Sequence, residues 1–248
     1  MASGTIRVGV GGWDFDPWRG TFYPDGLAKT KQLEYAAGRL TAVEVNSTFY
    51  SSQKPATFAK WAAAAPDGFR FALKASRYCV TRKKLADAGE SVQRFAEQGL
   101  TELGDKLGPI LWQFAATRVF DADDIAAFLA LLPARQDGVP LRHAIEPRHD
   151  SFRDPAFIAL ARAANAAIVF ADSDDYPCID AATGDFAYAR LQRSTEDCAT
   201  GYDAAGIDGW AKAARGWAED GRDAYVFFIA GAKVRNPAAA TELIARLK

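Results

Sequence analysis

Residues 141–150 read LRHAIEPRHD, so Glu146, Arg148, His149 and Asp150 follow a short apolar run almost without interruption. An acid, a permanent cation, a titratable imidazole and a second acid are the groups that proton transfer or the gripping of a polar ligand requires. Unpaired charges are costly to bury. The plainer reading of the segment is therefore a solvated loop with its own salt bridge. The same juxtaposition recurs along the chain, where apolar runs end in Trp13, in Glu44 with Asn46, in Lys74, in Gln113, in Asp172 and in Arg190.

These residues fall into two groups. Glu146, Glu44 and Lys74 are the candidate catalytic residues, with Glu146 the leading acid or base. Trp13, Asn46, Tyr50, Gln113, Arg148, His149, Asp172 and Arg190 are candidates for holding a ligand, the arginines being suited to bidentate contact with phosphate or carboxylate. If Glu44, Glu146, Asp172, Lys74, Arg148 and Arg190 all point inward, charges of both signs meet. The acids' pKa values then fall, which weakens the case for a protonated acid. A metal held by Glu146, Asp172 and His149 is a minor alternative. No HExxH or paired-histidine spacing supports it, and no metal site is expected. Cys79 has no histidine near it in sequence and reads as an ordinary small side chain. No motif names a cofactor.

The positioning elements come from the hydrophobic pattern. Strands are predicted at 5–10, 42–45, 69–73, 108–112, 141–145, 167–171, 186–190 and 223–228. Helices are predicted at 32–40, 57–64, 91–103, 121–132, 154–164, 207–219 and from 236 to 247. Asp121 reads as an N-cap, Asp154-Pro155 as a cap with proline in the first turn, and Asn236-Pro237 as the cap of the last helix. The connection at 176–185 shows no helical period. Eight strands with mostly helical connections predict an α/β fold, a (β/α)8 TIM-type barrel forming a single domain over 1–248. A doubly wound sheet also alternates strand and helix, but GGW rather than GxGxxG follows the first strand. In a barrel, chemistry gathers at the C-terminal strand ends, where the polar residues fall.

The 248 residues suffice for one large core. A net charge of −1 argues against a protein held to duplex DNA by a basic surface and against a membrane-surface module. No apolar run is long enough for a membrane span, and MASGTIRVG lacks the apolar core of a signal peptide. Cys79, Cys178 and Cys198 are odd in number and widely spaced, which suits reduced thiols in the cytoplasm.

The segments GVGGWDFDPWRGTFYP, EVNSTFY, FRFALKAS, LGPILWQF and HAIEPRHDSF, in this order, resemble the DUF72, or YecE-like, family. The resemblance is close from about Ile6 to Phe170 and weaker beyond. It implies a TIM barrel and no defined reaction, and it implicates Gly12, Trp13, Glu44, Asn46, Phe49, Tyr50, Lys74, Gln113, Glu146, Arg148 and His149. The later part departs from the family pattern. An arginine followed by His-Gly is replaced by Arg190-Leu-Gln192-Arg193, an asparagine-rich end of the last strand by Phe228-Ile-Ala-Gly231, and a tyrosine-rich stretch by Gly201-Tyr202. If those positions bind ligand in the family, this chain takes a different ligand or has lost an activity.

Three functions remain open. The first is an enzyme acting on a sugar- or phosphate-containing substrate at the C-terminal face. The second is a non-catalytic binder of a small polar or anionic ligand, or an interaction protein. The third, which the charge disfavours, is a nucleic-acid-processing barrel. Nothing in the sequence fixes the oligomeric state.

Overall fold

The computed structural model describes residues 4–248; residues 1–3, the start of the segment read as lacking a leader, lie outside the described residues. The strands are β1 (Ile6–Gly11), β2 (Ala42–Val45), β3 (Arg70–Lys74), β4 (Leu107–Gln113), a hairpin of β5 (Arg135–Gln136) and β6 (Val139–Pro140), then β7 (His143–Glu146), β8 (Ala167–Ile168), β9 (Phe170–Asp172), β10 (Phe186–Leu191) and β11 (Asp223–Phe228). Apart from the hairpin all pair in parallel, in the order β8-β7-β4-β3-β2-β1-β11-β10-β9. β8 and β9 are halves of one strand on either side of Val169. One half pairs with β7 and the other with β10, so the sheet closes into an eight-stranded barrel.

The helices are α1 (Gln32–Ala37), α2 (Ser47–Tyr50), α3 (Pro55–Ala64), α4 (Arg77–Val80), α5 (Gly89–Ala96), α6 (Ala122–Leu131), α7 (Pro155–Ala163), α8 (Ala204–Trp217) and α9 (Asn236–Leu247). Asp121 accepts from the Asp124 N–H at 3.0 Å and Asp154 from the Ala156 N–H at 2.8 Å, so both predicted caps are in place. No helix spans 176–185, as the pattern predicted. Two expectations need correction. The helix expected over 91–103 ends at Ala96, and after left-handed Gly99, with a φ of 100°, the chain resumes as a 3-10 helix over Leu100–Lys106. Asn236 does not cap α9, because Arg235 occupies that position. Asn236 lies inside the helix, where it accepts from Ser194 Oγ at 2.8 Å and donates to the Ala230 carbonyl at 3.1 Å.

Two apolar layers follow from the alternation along each strand. Val8, Val10, Val43, Val45, Phe71, Leu73, Ile110, Trp112, Ile145 and Leu191 face outward and pack under the helices. Ala42, Ala72, Leu111, Ala144, Ala167, Val169, Phe186, Tyr188, Tyr225 and Phe227 fill the barrel. The inner layer is lopsided: β10 and β11 contribute its aromatic rings, and β1, β2, β3 and β7 face them with glycine or alanine. At Gly9 the neighbouring strand also forbids a side chain, since a Cβ there would stand 2.0 Å from the Ala42 carbonyl oxygen. Between β3 and β4 the register jumps: Phe71 pairs with Leu107, but Leu73 pairs with Ile110. Gly108-Pro109 thus form a bulge with one extra residue on β4.

Candidate functional site

Above the inner apolar layer, the next inward positions carry Glu44, Lys74, Gln113, Glu146 and Arg190, all buried. Arg190 stands between the acids. Its Nε and Nη2 donate to Glu44 Oε2 and Oε1 at 3.0 and 3.1 Å, and its Nη1 donates to Glu146 Oε2 at 2.6 Å. Glu44 also accepts from Tyr188 Oη at 2.8 Å and Asn46 Nδ2 at 3.2 Å. Glu146 accepts from Gln113 Nε2 at 2.7 Å and Arg148 Nε at 3.2 Å. Charge-assisted bonds of this kind are the strong ones, and they occupy the lone pairs of both carboxylates almost completely.

The electrostatics follow. Burial pushes the Glu146 carboxyl up, but Arg190, Arg148, the Gln113 amide and Lys74 outweigh it and hold the pKa below the usual carboxylate range. Arg190 is pushed further toward its charged form, because both glutamates outweigh its burial. Glu146 is therefore a locked carboxylate in this network and a poor proton donor. Lys74 differs. Its Nζ lies 4.2 Å from the centroid of the Phe49 ring and has no hydrogen bond or ion pair to another described residue. Burial, with Arg190 next in weight, brings its pKa down to about 8.

The loops explain this placement. Thr48 Oγ1 donates to the carbonyls of Val45 and Lys74 at 3.1 and 2.7 Å, pinning α2 onto the end of β3 and laying Phe49 over the lysine. Tyr23 Oη donates to the Trp13 carbonyl at 2.6 Å, and Trp18 Nε1 donates to the Lys233 carbonyl at 2.9 Å. The first bond braces the loop after β1 internally, and the second ties it to the loop after β11. These loops flank an open cleft of about 520 Å³ lined by Gly12, Trp13, Asn46, Tyr50, Ile229 and Lys233 among others. The cleft and the buried charges do not coincide; Asn46 belongs to both. A wider hollow of about 920 Å³ lies outside the barrel around Arg82, Lys84 and Arg118, but Arg118 is already tied to Asp124 and to the carbonyls of Arg82 and Lys83.

The candidates thus sort into places. Glu44, Gln113, Glu146 and Arg190 form the buried network, with Lys74 beside it. Trp13, Asn46 and Tyr50 line the cleft. Arg148 is half-buried, with its guanidinium carbon 4.1 Å from the Tyr176 ring centroid. His149 turns to its own loop, where Nδ1 meets Ser151 Oγ at 2.8 Å and caps the turn Asp150–Arg153. Asp172 does not join the set. It pairs in register with outward-facing Leu191, and its nearest cation is Arg193 at 3.4 Å. Burial outweighs Arg193 and raises its pKa. Sequence reasoning missed Tyr188, whose position two residues before Arg190 on one strand was the available signal.

Cys79 is buried and its thiol is pushed up to about 12 by that burial, which removes it as a nucleophile. His143 accepts from Trp112 Nε1 at 3.1 Å and meets the Pro133 carbonyl at 2.9 Å, a satisfied core histidine. Among the described residues, no three or more His, Cys, Asp or Glu side chains are arranged to hold a metal ion, and no helix is long and apolar enough to cross a membrane.

Residues 7–248 match the family described as "Protein of unknown function DUF72". The chain belongs to the DUF72 family. Among solved structures, it resembles a DUF72 family protein from Thermotoga maritima with a TM-score of 0.76 at 20% identity, covering 98% of each chain. A DUF72 family protein from Enterococcus faecalis matches with a TM-score of 0.74 at 19% identity, over 98% of this chain and 95% of that one. These likenesses bear out the TIM-barrel fold expected of a DUF72 chain. No curated protein matches the sequence significantly.

Proposed function

We propose that this DUF72 protein binds a small anionic ligand of the sugar-phosphate or sugar-acid class at the C-terminal mouth of its barrel. The charge balance there carries the reading. Arg190, Arg148 and Lys74 supply three cations against the two carboxylates Glu44 and Glu146, and Arg190 already occupies most of both acids. Lys74 and the terminal nitrogens of Arg148, which have no hydrogen bond to another described residue, are left to meet an anion. Trp13 and Tyr50 offer apolar walls, and Asn46 a polar edge, to the uncharged part of the ligand.

A non-catalytic binder is the second reading, favoured by the saturation of Glu44 and Glu146, which leaves neither free to shuttle protons. Nucleic acid fits less well, since the excess charge is a single buried cation rather than a basic surface. The three free cysteines support the cytoplasm as the compartment.

Calorimetric titration with ribose 5-phosphate, inorganic phosphate and ribose tests the reading. The phosphorylated sugar is expected to bind to wild type, and Arg148→Ala to weaken it by about tenfold, the loss of one charged hydrogen bond. Absence of binding by every anion, or wild-type affinity in both Arg148→Ala and Trp13→Ala, rejects it.

A further inference from the structure

We infer that Lys74 is an amine nucleophile, and that the ligand of the mouth is a small anionic aldehyde or ketone with which it forms an imine. The inference rests on the anion-binding reading above and names the substrate class of the same site.

The geometry distinguishes Lys74 from the other charges around it. Two carboxylates share its layer, yet both are taken up by Arg190, Arg148, Gln113, Asn46 and Tyr188. The ammonium instead faces the Phe49 ring, a contact that supplies no hydrogen-bond acceptor. It ends β3 at the open end of the barrel and retains 8% of its surface. A lysine kept for structure normally pairs with an acid when it is this buried. Burial, then the Arg190 cation, with Arg148 adding to them, outweigh the upward pull of Glu44 and Glu146, and the resulting pKa of about 8 leaves a useful neutral fraction near neutral pH. Arg148, which also repels the lysine, stands ready to hold the anionic end of a substrate while the carbonyl meets Nζ.

The step balances without a further reagent. The neutral Nζ attacks the carbonyl carbon, and a nitrogen–carbon bond forms as the carbonyl π electrons pass to oxygen. Both Nζ hydrogens leave with that oxygen as water, giving a carbon–nitrogen double bond. A proton taken up from solvent then yields the iminium, an electron sink for bonds at the adjacent carbon.

The test is reductive trapping on the full chain. Protein is incubated with glycolaldehyde phosphate and sodium cyanoborohydride, which delivers hydride to the imine carbon, and the adducts are mapped by peptide mass spectrometry. Expected is one adduct per chain on Lys74, formed at least tenfold faster than on exposed Lys83 or Lys84. The rate should rise with pH to half-maximum near 8 and be slowed by inorganic phosphate. Lys74→Arg, checked for folding by its melting temperature, should lose this adduct. Labelling confined to surface lysines, with phosphate binding intact, overturns the imine and leaves the anion site standing. Failure of phosphate to bind, together with no labelling at Lys74, removes both.

Discussion

At the mouth of the barrel Arg190 meets Glu44 and Glu146 at 2.6 to 3.1 Å, and the two acid side chains are fully enclosed. At the opposite end Arg7 and Arg142 reach Asp223 at 3.5 and 2.8 Å, with a quarter of the acid's side chain in water. Both ends set arginine against carboxylate, but the surroundings give the pairs different weight. Water reaches Arg142 and Asp223, whose side chains are 32% and 25% exposed, so that pair contributes little, although Arg7 beside them is buried. The mouth cluster has lost its hydration and depends on its own partners, so removing one member strands the others. The same kind of ion pair is therefore a minor contributor where water reaches it and part of an obligatory network where it does not.

Arg190→Met is the largest expected break in this contrast. It leaves two enclosed carboxylates facing each other and should cost about 3–5 kcal/mol, or prevent folding outright. Urea denaturation measures it, and a loss below about 1 kcal/mol would show that water reaches the mouth and erase the distinction.

Lys74→Met sharpens the contrast from the other side, by removing a charge that the mouth does not pair. At pH 7 it should stabilise the fold by about 1–2 kcal/mol, the burial cost of the ammonium. The folded pKa of about 8 lies below the ordinary 10.5. Below pH 8 both states carry the proton and the wild-type fold bears the full cost. Between the two values the unfolded chain binds more protons, so wild-type stability rises with pH. The advantage of Lys74→Met should therefore shrink from pH 8 to 10.5; a constant gap would contradict it.

Asp223→Asn at the floor is the smallest effect, under about 1 kcal/mol at neutral pH and weaker still in high salt. Arg142, the Thr5 N–H and Arg7 outweigh the partial burial of Asp223 and hold its pKa below 3.8. The stabilisation is thus present above that value and disappears as pH falls through the lower folded one. Thermal melts of both proteins from pH 7 to pH 2 follow it. A cost comparable to Arg190→Met would place the two ends on the same footing.

The eight strands were legible because each is a largely apolar, often β-branched or aromatic run, and most are closed by a polar residue. The address of the polar groups followed from that pattern. Their partners did not, because Glu44, Glu146 and Arg190 meet across the barrel axis from strands far apart in sequence. No spacing encodes that distance. The lowering of Glu146 was foreseeable from mixed charges. That one arginine would satisfy both acids and leave Lys74 over was not. Asp172 was misgrouped for a simpler reason: its place at a strand end was read without asking which way that position points. Strand alternation turns it outward beside Leu191 while Arg190, one position earlier on the neighbouring strand, turns inward.

The extra residue at Gly108-Pro109 has the force of a frame shift. Counted from Leu107, which faces out with Phe71, strict alternation would turn Gln113 toward the helices and Trp112 into the barrel. The insertion reverses that parity for everything downstream on the strand, so the indole goes under the helices and the amide reaches Glu146. Flattening the bulge without shortening the strand would exchange inside for outside over its last four positions, whereas deleting Gly108 would remove the extra residue and leave them facing as they do. The donor set of the mouth is thus written partly in residue types and partly in a count.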